Sequence, residues 1–135
     1  MHKKLHLPLT GQRQTPEADL QRLIVAFLRL VLPVGAIVHH SANETGVGGQ
    51  RGRTRQAILA GMGVCSGFSD LIVLSEGRVL FLELKSKTGR LSPAQERFRD
   101  QVQAQGFAWV MVRSIDDVLG ALGAFGFRFK AARLG

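Results

Sequence analysis

Three charged side chains sit in or beside otherwise apolar runs: Asp70 just ahead of Leu71-Ile72-Val73-Leu74, and Glu83 and Lys85 at the end of Val79-Leu80-Phe81-Leu82-Glu83-Leu84-Lys85. Ser75-Glu76-Gly77-Arg78 separates the runs, and a glycine-containing turn between β-prone segments is a hairpin signature. If Leu74 faces Val79, then Ile72 faces Phe81 and Asp70 faces Glu83. Side chains alternate along a strand, so Asp70, Ile72, Leu74, Val79, Phe81, Glu83 and Lys85 share one face, and Leu71, Val73, Leu80, Leu82 and Leu84 line the other. Directly opposed residues stand about 4.5–5.5 Å apart, and like charges there are destabilising unless something positive lies between them. A divalent cation supplies that charge, and Lys85 is placed to reach a water or phosphate oxygen held by it. The competing reading is a salt bridge at the strand ends. It accounts for Glu83 and Lys85 together, but less well for Asp70 in register with them.

The rest of the composition points to an anionic partner. Lys and Arg outnumber Asp and Glu 18 to 10, for a net charge of +8 in 135 residues. Arg outnumbers Lys 13 to 5, which favours planar, bidentate contacts to phosphate over a merely solubilising surface. From Thr45 to Ser69 there is no acidic residue, while Arg51, Arg53 and Arg55 cluster among Gly46, Gly48, Gly49 and Gly52. This stretch reads as a mobile phosphate-contacting loop, helical in part over 52 to 62. It is not a P-loop, because no Gly-Lys-Ser/Thr follows. Cys65 is the only cysteine, which excludes an internal disulfide and suits a reducing compartment. No run approaches the roughly 20 apolar residues of a membrane span, and the basic start lacks a signal-peptide core. A soluble, cytoplasmic protein with no membrane partner is expected.

Helices and strands must position the charged group. Thr15-Pro16-Glu17-Ala18-Asp19 opens a helix with Thr15 as its N-cap and Pro16 at the first position. Leu20, Leu23, Ile24, Phe27, Leu28 and Val31 form its expected buried stripe, and Pro33 ends it. Glu17 borders that stripe and can reach an interior site, or serve only as a carboxylate favoured by the helix dipole. Residues 35–40 read as a strand whose adjacent His39 and His40 point to opposite faces, which argues for surface or substrate contact over metal ligation. Ser92-Pro93-Ala94-Gln95 starts a helix, with Gln95 at the third position of a capping box. Residues 107–112 form a buried strand, and Ser114 starts a last helix running to about Gly123. The order α-β-α-β-β-α-β-α predicts an α/β domain with a mixed sheet covered by helices. A basic arm over 1–14 precedes the domain at 15–124, and a basic tail over 125–135 follows it.

The ordered set Gly67-Phe68-Ser69-Asp70-Leu71-Ile72, Phe81-Leu82-Glu83-Leu84-Lys85 and Gly89-Arg90-Leu91-Ser92-Pro93-Ala94-Gln95 resembles the VRR-NUC domain of the PD-(D/E)XK nuclease superfamily, in its standalone phage or bacterial form. Glu17 to Gln21 and His40-Ser41-Ala42-Asn43-Glu44 fall in the family's order. Ser69 stands where many superfamily members have proline, and Ala42 replaces a proline often seen before the Asn-Glu pair. The resemblance implies a restriction-endonuclease-like mixed β-sheet flanked by helices. It also implies a Mg²⁺- or Mn²⁺-dependent endodeoxyribonuclease acting in the cytoplasm of a bacterium or a phage-infected cell.

Asp70 and Glu83 would bind the metal, with the Leu84 carbonyl and Glu17 as further contributors. Lys85 would position the attacking water, and Gln95 would support Lys85 or the water. Arg51, Arg53, Arg55, Lys87 and Arg90 are the expected nucleic-acid contacts. Branched DNA such as a four-way junction, or duplex DNA, is the expected substrate. A homodimer is the expected assembly, because one small domain carries one site. The rival readings are a non-catalytic nucleic-acid-binding module of the same fold and a nuclease acting on RNA.

Overall fold

The structure, a computed structural model, describes residues 16–42 and 49–130, apart from the side chains of residues 49–51 and 56. The basic arm, the Thr15 cap, the Asn43-Glu44 pair, the Arg51 side chain and the last five residues lie outside the described residues. The elements run α1 (Pro16–Val31), β1 (Ile37–His40), α2 (Gly49–Gly61), β2 (Leu71–Ser75), β3 (Arg78–Leu84), α3 (Pro93–Ala104), β4 (Ala108–Val112) and α4 (Ile115–Ala124). This is the order expected from the sequence. The second helix is longer than the glycine content of its first turn predicts.

The hairpin β2–β3 has the predicted register, with Leu74 opposite Val79 and Ile72 opposite Phe81. Its two-residue turn places Glu76 at φ 50° and Gly77 at φ 79°, and positive φ at both central residues matches the right-handed twist of the strands. β1 pairs antiparallel with β2, and β4 pairs parallel with β3, giving the sheet order β1-β2-β3-β4. The parallel pairing follows from α3, which carries the chain back over the sheet between the two strands.

Leu71, Val73, Leu80, Leu82 and Leu84 face α1 and α4, where they pack with Ile24, Phe27, Leu28, Val31, Val118 and Leu122. Each such buried side chain contributes about 1.5–3 kcal/mol. The opposite face carries a smaller cluster of Phe98, Val102 and Trp109, with Phe68, Phe81 and Met111 packed against it. Phe98 meets Phe68 at 4.7 Å and Phe81 at 5.7 Å between ring centroids.

Three expectations change. Leu23 is 57% exposed rather than buried, because the helix contact is centred on Ile24, Leu28 and Val31 and Leu23 lies a quarter turn outside it. Phe107 precedes β4 and is half exposed. After α4 the chain stays on the domain: Phe127 is buried in the main core, Lys130 N–H donates to the Val31 carbonyl, and Arg128 holds Glu76 through two hydrogen bonds. Among the described residues, no helix is long and apolar enough to cross a membrane.

Candidate active site

Glu83 lies one residue before the end of β3, on the face that α3 covers, and is 1% exposed. A carboxylate in such a place needs partners. Its Oε1 accepts from Gln95 Nε2 at 2.8 Å and lies 3.7 Å from Lys85 Nζ. Its Oε2 is buried without a hydrogen-bond partner. Burial first, then the negative charge of Asp70, push the Glu83 carboxyl up to about 8, with Lys85 opposing the shift. Two carboxyl groups thus press on one another where one of them is dry.

Asp70 stands one step before the ladder begins at Leu71, in a bend rather than in β2. Its carboxylate Oδ2 accepts from the Leu84 N–H at 2.8 Å, across the hairpin. Its carbonyl accepts from Ser41 N–H at 2.9 Å, and His40 Nδ1 lies 3.1 Å from the same oxygen. The sequence register brings Asp70 beside Glu83 as expected, but Asp70 is held there by these contacts and not by a ladder pair.

Gly67 makes this approach possible. At φ +75° it passes so close to the start of α3 that a Cβ there would meet the Ala94 carbonyl oxygen at 2.3 Å. The tight passage delivers Ser69 and Asp70 to the N-terminus of α3. Ser69 is fully buried, and its hydroxyl has no partner.

Gln95 has two tasks. Its Oε1 accepts from Ser92 N–H at 2.9 Å, while Ser92 Oγ accepts from Gln95 N–H, closing the capping box. Its amide nitrogen is then aimed at Glu83. The partner it reaches directly is Glu83, not Lys85.

Lys85 follows β3 and is 8% exposed, with its N–H donating to the Val112 carbonyl at 3.1 Å. Glu17, at the start of α1, meets the next turn: its Oε1 accepts from Ser86 N–H at 3.5 Å. A Cβ on Gly89 would lie 3.1 Å from that oxygen and 3.4 Å from Lys85 Cδ. Glu17 is therefore brought to the end of β3, alongside Lys85. Among the described residues, no group of three or more His, Cys, Asp or Glu side chains is gathered as a metal cage. The donors that come together are the Asp70 and Glu83 carboxylates.

Lys87 and Arg90 are exposed in the connection from β3 to α3. Arg53 and Arg55 are exposed on α2, which packs against none of the other helices or strands among the described residues. Sequence reasoning missed Arg113, whose guanidinium donates to the Ser86 carbonyl and so ties the end of β4 to the residue after Lys85. It also missed the contact of His40 with Asp70. Both link residues 27 or 30 positions apart, and only the strand order puts them side by side.

Residues 50–116 match the profile of the VRR-NUC domain. A solved structure described as a VRR_NUC domain protein superposes with a TM-score of 0.63 at 21% identity, covering 84% of this chain and 90% of the other. A second, described as a VRR_NUC domain, gives a TM-score of 0.53 at 20% identity over 83% of this chain and 99% of the other. At these identities the likeness is one of fold. No curated protein matches the sequence. The profile match covers Asp70, Glu83, Lys85 and Gln95, and leaves Glu17 and His40 outside it. The segment 50–116, which builds the hairpin, α3 and β4, belongs to the VRR-NUC family, a nuclease-type domain.

Proposed function

We propose that this chain is a Mg²⁺- or Mn²⁺-dependent DNA endonuclease that cuts branched DNA. The observation that carries the reading is the Asp70–Glu83 pair at the end of the hairpin, with Lys85 beside Glu83. The residues fit a hard divalent cation: two oxygen donors repel one another, and Glu83 Oε2 is buried without a partner. Asp70 and Glu83 would hold the ion, with the Leu84 carbonyl and Glu17 as candidate additional donors. Bound there, the ion supplies Lewis-acid polarisation of a phosphodiester.

The chain's own groups do the rest. Lys85 Nζ, kept in place by Glu83, stabilises negative charge developing on the phosphate and orients the attacking water. Gln95 fixes the rotamer of Glu83 from the α3 side. The sheet and α3 exclude bulk water from the inner carboxylate oxygen. Arg53 and Arg55, exposed on α2, with Lys87 and Arg90 beside the site, supply phosphate contacts, and the Arg51 backbone belongs to the same helix.

One site cuts one strand, so coordinated cleavage of a branch calls for two copies related by a two-fold axis. A reducing cytoplasm is the setting this reading assigns, in keeping with the exposed, unpaired Cys65.

The test is cleavage of four-way junction, flap and linear duplex DNA, with single-stranded RNA alongside, in Mg²⁺ or Mn²⁺ and in chelator. Metal-dependent cutting of branched DNA that is abolished in Glu83→Gln supports the proposal. Salt-sensitive binding without cleavage would make the domain a binding module, and preferential RNA cleavage would replace the substrate. Molar mass in solution, with and without junction DNA, tests the two-copy arrangement.

A further inference from the structure

Asp70 has no ladder partner in β3 to fix its peptide plane, yet its carboxylate must point at Glu83. Its carbonyl oxygen takes Ser41 N–H at 2.9 Å and faces His40 Nδ1 at 3.1 Å. A carbonyl can only accept, so the Nδ1 of His40 carries the proton in this contact. The two donors come from the end of β1, one from the backbone and one from a side chain. They occupy both lone pairs of a single oxygen, which sets the rotation of the Asp70 peptide. The carboxylate at the other side of the residue is held by Leu84 N–H at 2.8 Å. Asp70 is thus clamped between β1 and β3, and His40 is the only side chain recorded on its carbonyl among the described residues.

We propose that His40 is a positioning residue for Asp70: its Nδ1–H fixes the Asp70 peptide, and through it the aim of the carboxylate at Glu83. This rests on the metal-site reading above. It goes beyond that reading by assigning a role to a residue of an edge strand that lies outside the matched domain segment. A contact that merely finished β1 would be met by Ser41 N–H alone, and the imidazole would be dispensable.

The experiment compares His40→Ala with His40→Asn, since the Asn side-chain amide can place its nitrogen near the position of Nδ1. Two readouts are taken on the full chain without DNA. One is the backbone amide resonance of Leu84 in metal-free protein, which reports its hydrogen bond to Asp70. The other is Mn²⁺ affinity by calorimetry.

The expected result for His40→Ala is a displaced Leu84 amide and Mn²⁺ binding weakened about tenfold, in the range for loss of a group that orients a ligand. His40→Asn should retain the parent resonance and most of the affinity. An unmoved Leu84 amide in His40→Ala, or a His40→Asn variant as impaired as His40→Ala, would overturn the proposal. Should the parent bind no Mn²⁺, the metal reading fails, while the Leu84 amide still decides the role of His40.

Discussion

The side-chain amide of Gln95 reaches Glu83 at 2.8 Å while its oxygen caps the helix it belongs to. One residue therefore both starts α3 and grips the inner carboxylate. Gln95→Glu should separate the two tasks. A glutamate keeps the capping-box acceptor but turns an acceptor toward a buried carboxylate, so the expected cost is about 1–3 kcal/mol. Cleavage should fall well beyond the loss in Ser92→Ala, which removes only the cap for about 1 kcal/mol. Urea unfolding and cleavage rates on both variants check the contrast.

The Glu83 carboxyl is raised to about 8 from an ordinary 4.5, by burial and by Asp70. The folded protein therefore binds this proton more tightly than the unfolded chain. Its contribution to stability is full below about 4.5 and is lost as pH rises through about 8. Metal-free protein should show a falling urea midpoint between pH 5 and 8, and Glu83→Gln should flatten that slope. Mg²⁺ or Mn²⁺ added at pH 8 should restore the parent's midpoint and leave that of Glu83→Gln almost unmoved.

At Gly67 a methyl group would strike the Ala94 carbonyl at 2.3 Å, whereas at Gly63, also at positive φ, it would meet nothing within 4 Å. Gly63→Ala should cost about 1 kcal/mol for its backbone conformation. Gly67→Ala should cost several times more and should also lose cleavage, because the segment that delivers Asp70 must move away from α3. Chemical denaturation with a parallel cleavage assay separates the two glycines.

Arg53 and Arg55 stand exposed on a helix that packs against no other element among the described residues. Replacing either with alanine should leave thermal stability within about 0.5 kcal/mol. Each replacement should weaken DNA binding without regard to sequence and reduce the slope of log K against log salt by about one. Binding titrations at several salt concentrations in chelator measure this apart from cleavage.

The hairpin register and both capped helices, α3 and α4, were legible because each depends on residues close in sequence: Glu76-Gly77 at the turn, Ser92 with Gln95, and Ser114 ahead of Asp117. The pairing of Asp70 with Glu83 followed from the turn alone. Contacts made by chain crossing were not legible. His40 against Asp70 needs β1 beside β2, and Arg113 against Ser86 needs β4 parallel to β3, which no local pattern dictates. Leu23 was misjudged because a helix stripe is as wide as whatever packs on it, and α1 is gripped along a narrower line than its leucines offer. The long α2 was understated because its glycines weigh against a helix while its Arg, Gln and Ala residues favour one.

The hairpin has two ends with different duties. At the site end stand Asp70, Glu83 and Lys85. At the turn end, Arg78 Nε donates to the Gly126 carbonyl and Glu76 is held by Arg128, so the C-terminal segment is fastened there. Both ends lie on the seven-residue β3, with Arg78 and Glu83 about 17 Å apart at strand rise. Chemistry and anchorage are thereby insulated along a single strand. A change in the latch at the turn, in its loop length or its basic partner, should leave the geometry of the site end in place.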